Sequence, residues 1–225
     1  MKPNRESLSY GPRRTFLQRA CGILALSLAG GGAAAQEERV LKLVALGDSL
    51  TAGYLLPESA AFPNVLEAAL RAKGHKVEIA NAGVSGDTSS GGLARLDWSI
   101  PDGTDGVIVE LGANDMLRGI DPDVTRKALD GIVTRLKERK IPVMLAGMYA
   151  ARNLGPDYRK RFEAIYADLA ARDGLVLYPF FLDGVSDGPL NLTLSDRLHP
   201  SAEGVKVIVA RILPSVETFL GRLKR

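Results

Sequence analysis

The chain has 225 residues, 46% hydrophobic and 24% charged, with 24 glycines and 12 prolines scattered without period. These are ordinary globular values, and they exclude collagen, low-complexity disorder and a coiled coil in favour of one medium domain. The net charge of +3 hides an asymmetry: in residues 1–35, Lys2, Arg5, Arg13, Arg14 and Arg19 against Glu6 give +4, leaving −1 for the remainder and no basic footprint for nucleic acid.

In chain order, the first segment reads as a targeting signal. Arg13 and Arg14 stand in PRRTFLQ, a short apolar stretch follows from Cys21 to Leu28, and small residues run to Ala35. The stretch is too short to span a bilayer. Paired arginines followed by x-Phe-Leu look like a twin-arginine signal, which implies export of a folded protein. The expectation is a signal peptide over residues 1–35, cleaved to leave a single periplasmic or secreted domain over 36–225 with no integral membrane segment. Cys21, the only cysteine, leaves with the signal, so disulfides, thiolate catalysis and cysteine-ligated metal are not expected.

Past the signal, apolar β-rich runs alternate with helical-period stretches. The pattern predicts strands over 40–46, 76–83, 106–112, 141–148 and 174–180, and helices over 62–73, 89–98, 122–140, 156–172 and 202–220. Steady alternation implies an α/β fold with one parallel sheet covered on both faces by right-handed crossovers. Ligands in such sheets sit at the carboxyl ends of the strands.

The polar groups collect at those ends: Gly47-Asp48-Ser49 after the first strand, Ser85-Gly86-Asp87 after the second, Gly112-Ala113-Asn114-Asp115 after the third, and Asp196-Arg197-Leu198-His199-Pro200 before the last helix. Of two histidines, His75 reads as a solvated turn residue. His199 follows Asp196 by three residues and is biased away from helix by Pro200. Separated by one turn, the carboxylate can accept from one ring nitrogen and leave the other free to act as a base. Ser49 is the hydroxyl such a base would activate, Gly86 a candidate backbone donor to an oxyanion, and Asn114 a candidate side-chain donor. No G-x-S-x-G pentapeptide occurs, so the nucleophile elbow of the α/β-hydrolases is not available. Asp48, Asp87 and Asp115 read as turn or cap residues. Met116, Leu117, Tyr149, Phe180, Phe181 and Leu182 are candidates to line an acyl pocket.

Taken together, GDSLTAGY, NAGVSGDTSSGGLARL, VELGANDMLRG and DRLHP resemble the SGNH subgroup of the GDSL hydrolases over essentially the whole chain from Val40 to the final helix. The resemblance implies a flavodoxin-like three-layer α/β/α fold with a sheet of about five strands. It also implies a catalytic triad of Ser49, Asp196 and His199, and an oxyanion hole from the amides of Ser49 and Gly86 with the side chain of Asn114. Ala113 stands where the family commonly has a second glycine, and its methyl group is expected to narrow the pocket. The implied activity is hydrolysis of small-molecule carboxylic esters, of arylesterase, thioesterase or lysophospholipase type, through an acyl-enzyme and without a cofactor. The sequence carries no signal for an oligomeric state. Two other readings compete: a two-metal phosphoesterase using Asp48, Asp87, Asn114 and Asp115, which a single available histidine disfavours, and a non-catalytic periplasmic binding protein, which has no use for Asp196 and His199 beside Ser49.

Overall fold

The computed structural model describes residues 39–223, so the expected signal over residues 1–35, with Cys21, lies outside the described residues. Its elements are β1 (Leu41–Gly47), α1 (Ser49–Ala52), α2 (Phe62–Ala72), β2 (Val77–Gly83), α3 (Ser89–Ala94), α4 (Leu96–Ser99), β3 (Gly106–Glu110), α5 (Ala113–Leu117), α6 (Pro122–Glu138), β4 (Val143–Ala146), α7 (Pro156–Asp173), β5 (Val176–Tyr178) and α8 (Ala202–Leu223). All five strands pair in parallel, in the order β2-β1-β3-β4-β5. The central strands β3 and β4 are buried along their whole length, as the unbroken apolar runs predict. Helix α2 packs against α8, while α3, α6 and α7 pack in succession, so helices cover both faces in a flavodoxin-like three-layer arrangement.

Local chemistry explains where the helices start and stop. Asp121 caps α6 by accepting from the Asp123 amide at 2.9 Å, Pro122 occupies the first turn, and Arg135 and Lys137 stand at the carbonyl end. Leu129, Ile132, Val133 and Leu136 form its buried stripe. Gly174 ends α7 in a left-handed conformation.

The helix predicted over 89–98 is broken at Arg95, which leaves helical geometry between α3 and α4. Two short helices, α1 and α5, occupy stretches that read as turns from the sequence. Each is about one turn long, too short to show a period. Both follow a strand whose carboxyl end lies beside the point where the strand order reverses, between β1 and β3. That crevice is where open α/β sheets bind ligands.

Candidate active site

Strand β1 delivers Asp48 and Ser49 to this crevice. Ser49 opens α1, and Asp48 is its cap, its Oδ1 accepting from the Leu50 amide at 3.0 Å. A side chain at Gly47 would collide with the Thr51 hydroxyl and lie 2.7 Å from the Glu110 carbonyl oxygen, so only glycine lets the helix turn back this closely on β3. Arg95 braces the same corner. Its guanidinium donates to Gly47 O and Ala82 O, both at 2.9 Å, and to Asp87 Oδ2 at 2.6 Å, tying the ends of β1 and β2 together.

The histidine arrives from the far end of the chain. His199 Nε2 lies 2.8 Å from Ser49 Oγ, and His199 Nδ1 lies 2.7 Å from Asp196 Oδ2. A carboxylate can only accept, so Nδ1 carries the proton toward Asp196 and Nε2 is left to accept from the serine hydroxyl. The three-residue spacing works through a loop rather than a helical turn. Asp196 Oδ1 accepts from the amides of Leu198 at 2.9 Å and His199 at 3.0 Å, Arg197 sits at φ 61°, and the Leu194 amide donates to His199 O at 2.8 Å. Partial burial works against charge on Asp196, but those two amides and the imidazole outweigh it and bring the carboxyl down to about 2.

Across the crevice, Asn114 in α5 donates from Nδ2 to Asp48 Oδ2 at 3.0 Å. Asp48 therefore serves two groups at once, the cap of α1 and the orientation of Asn114, whose second N–H stays free to serve another acceptor. Gly86 has φ 84°, and an added Cβ there would meet nothing nearer than Arg118 Nη2 at 3.7 Å. Within the protein it is therefore the left-handed backbone that calls for glycine at this position. Arg118 Nη2 donates to Gly86 O at 2.6 Å and holds the peptide from its other side. Among the described residues, no acceptor is bonded to the amide of Ser49 or of Gly86.

Two acids lie beneath the nucleophile. Burial pushes the Asp48 carboxyl up to about 6, against the pull of the Leu50 amide and Asn114. Glu110, wholly buried at the end of β3, is pushed well above the usual range by burial and then by the Asp48 charge. Thr51 Oγ1 donates to Glu110 Oε2 at 2.8 Å, while Oε1 has no partner among the described residues. A neutral carboxyl tolerates such isolation at far lower cost than a charged one.

The remaining candidates divide. Asp87 closes a turn, as expected, its amide donating to Val84 O at 3.1 Å, and its carboxylate is the ion-pair partner of Arg95, while Thr88 caps α3. Asp115 is buried and accepts from the Ser89 amide at 2.7 Å, Ser89 Oγ at 2.6 Å and Thr125 Oγ1 at 3.0 Å. Of the four residues in the two-metal reading, Asp48 and Asn114 are bonded to each other, Asp87 is paired with Arg95, and Asp115 is held by Ser89 and Thr125. His75 is not simply solvated, since its Nε2 lies 3.0 Å from Glu217 Oε1. Met116, Tyr149, Phe180 and Leu182 line a groove of about 330 Å³ that also includes Arg197 and Leu198, next to His199. Leu117 is instead exposed, and Phe181 is fully buried edge-on to Phe62. Ala113 packs into the core, so its methyl group is not among the groove's walls. Tyr54, not anticipated from sequence, places its ring 4.4 Å from that of His199.

A doubly wound sheet with a serine, histidine and aspartate hydrogen-bonded in sequence at its carboxyl edge is an arrangement of the serine-hydrolase kind. The chain belongs to the GDSL-like Lipase/Acylhydrolase family, whose model matches residues 45–207. It is 39% identical over 163 residues to an arylesterase of Vibrio mimicus, covering 72% of this chain and 81% of that protein. It is 38% identical over 162 residues to thioesterase 1/protease 1/lysophospholipase L1 of Escherichia coli, covering 72% of this chain and 76% of that one. Among solved structures, the SGNH-hydrolase family esterase AlinE4 superposes with a TM-score of 0.68 at 44% identity, over 81% of this chain and 98% of that one.

Proposed function

We propose that Ser49, His199 and Asp196 act as a nucleophile–base–orienter triad that cleaves carboxylic esters through an acyl-enzyme. His199 Nε2 takes the Ser49 proton as Oγ attacks the ester carbonyl. Asp196 keeps the imidazole in the required tautomer and favours the imidazolium that forms. The amides of Ser49 and Gly86 and the free N–H of Asn114 stabilise the oxyanion. The imidazolium then gives its proton to the leaving alkoxide or phenoxide, and His199 activates the water that releases the acid. The observation that carries this reading is the unbroken hydrogen-bonded chain from Asp196 through His199 to Ser49, at 2.7 and 2.8 Å.

The substrates are aryl esters or esters of medium acyl chains, with thioesters and lysophospholipids as further candidates on the names of the relatives. The mixed apolar groove beside His199 supports a preference for chains longer than acetate. Each further methylene buried there contributes about 0.8 kcal/mol, roughly fourfold in kcat/KM, until the groove is filled. Initial rates across p-nitrophenyl esters of increasing acyl length, alongside lysophosphatidylcholine and acyl-CoA, test this. A monotonic fall from acetate upward overturns the preference. The enzyme works outside the cytoplasm after loss of residues 1–35. Among the described residues no helix is long and apolar enough to cross a membrane. Replacing Arg13 and Arg14 by lysine separates the twin-arginine route, which stops, from the general one, which continues.

A further inference from the structure

The triad's weakest mechanical element is the base. His199 comes from an irregular segment 150 residues from Ser49 in sequence, and the hydrogen bonds described for its ring run only along its edge, to Asp196 and Ser49. Edge bonds define direction within the ring plane but leave the ring free to rock about the line joining its two nitrogens. Something must pack on its face.

Tyr54 is placed to do this. Helix α1 ends at Gly53 in the left-handed conformation, and the Ser49 carbonyl accepts from the amides of both Gly53 at 3.2 Å and Tyr54 at 3.1 Å. The backbone that carries the nucleophile thus also fixes the root of Tyr54. From there the aromatic ring lies over His199 at 4.4 Å between centroids, with 34° between planes. No hydrogen bond is described for the Tyr54 hydroxyl among the described residues, so the ring, not the polar tip, makes the contact. Such a contact serves both protonation states. Offset packing holds neutral imidazole in plane, and the negative face of the phenol ring favours the imidazolium formed when Nε2 takes the Ser49 proton.

We infer that Tyr54 is a positioning residue for the catalytic base, holding the His199 ring so that Nε2 stays directed at Ser49 through the proton-transfer cycle. This rests on the triad reading, so the test includes a measurement independent of turnover. In the full chain, Tyr54→Ala should lower kcat for p-nitrophenyl butyrate about tenfold with KM changed less than twofold, while Tyr54→Phe, which keeps the ring, stays within twofold of wild type. Tyr54→Leu, of similar bulk without a flat face, should behave like Tyr54→Ala and guards against a simple packing defect. Proton NMR supplies the independent reading: the downfield His199 Nδ1–H signal should be sharp in the wild type and in Tyr54→Phe, and broadened in Tyr54→Ala. Wild-type kcat in Tyr54→Ala, an equal loss in Tyr54→Phe, or a rise in KM alone would overturn the inference. Absence of turnover in the wild type, with the NMR pattern as expected, would strike at the triad reading and leave only the ring contact, overturning the catalytic role assigned to Tyr54.

Discussion

The two halves of the active site are built by opposite means. On the nucleophile side, Asp48, Ser49 and Thr51 are buried, and their neighbours come from three adjacent strand ends tied by Arg95, Asn114 and Glu110. On the base side, Asp196 and His199 lie in a loop with no regular structure, and Asp196 keeps 36% of its side-chain surface exposed. One half inherits its precision from the sheet, while the other depends on a few turn hydrogen bonds and the cover of Tyr54. In the proposed mechanism the charge that develops on the substrate is met by donors from the rigid half, and the proton is handled by the adjustable one.

Substitutions can separate the halves. Ser49→Ala and His199→Ala should each cost roughly 10⁴-fold or more in kcat with unchanged melting, because each breaks the same functional unit. Asp196→Asn should fall less far, since the imidazole keeps part of its orientation. Asn114→Ala should lower kcat by about 10²–10³ with little change in KM. It should also lose about 1 kcal/mol of stability in urea unfolding, because Asp48 loses a partner. A stability loss with wild-type kcat would reduce Asn114 to a structural role.

The halves should also respond to pH in opposite directions. Asp48 is raised from 3.8 to about 6, so the folded state binds more protons than the unfolded one between those values. Its contribution is present below about pH 4 and lost as pH rises through 6. Glu110 adds to this loss at higher pH. Asp196 is lowered to about 2, so its contribution is present above about pH 4 and lost as pH falls toward 2; solvent exposure keeps it small. Urea melts across pH 3–8 should show stability falling from pH 4 to 6, and Glu110→Gln should flatten the fall at higher pH. A smaller effect is expected for Thr51→Val, about 1 kcal/mol from the lost bond to Glu110.

Much of this architecture was legible in the chain. The five strands and the crossover helices follow from apolar runs, and the order GDS, SGD, GAND on successive strand ends, closed by DRLHP before the last helix, pointed to Ser49, Gly86, Asn114, Asp196 and His199. What the sequence hid depends on three-dimensional closure. Arg95 reads as a surface cation in a helix until the ends of β1 and β2 are brought to it. Glu110 reads as one polar residue at the end of an apolar strand, and only packing shows that no solvent reaches it. Tyr54 lies five residues after Ser49, but its contact is with a residue near the other end of the chain. Asp87 reads correctly as a turn residue, but its pairing with Arg95 becomes visible only when the two are brought together in space.

The central claim is that Ser49 is the group activated by His199. Treating the full chain with diethyl p-nitrophenyl phosphate, with and without chelator, and mapping the adduct by peptide mass spectrometry tests it directly. The account requires one diethylphosphoryl group per chain, on the peptide carrying Ser49, unaffected by chelator and absent in His199→Ala. An adduct on another residue, or full activity in a wild-type protein that takes up no label, would contradict it.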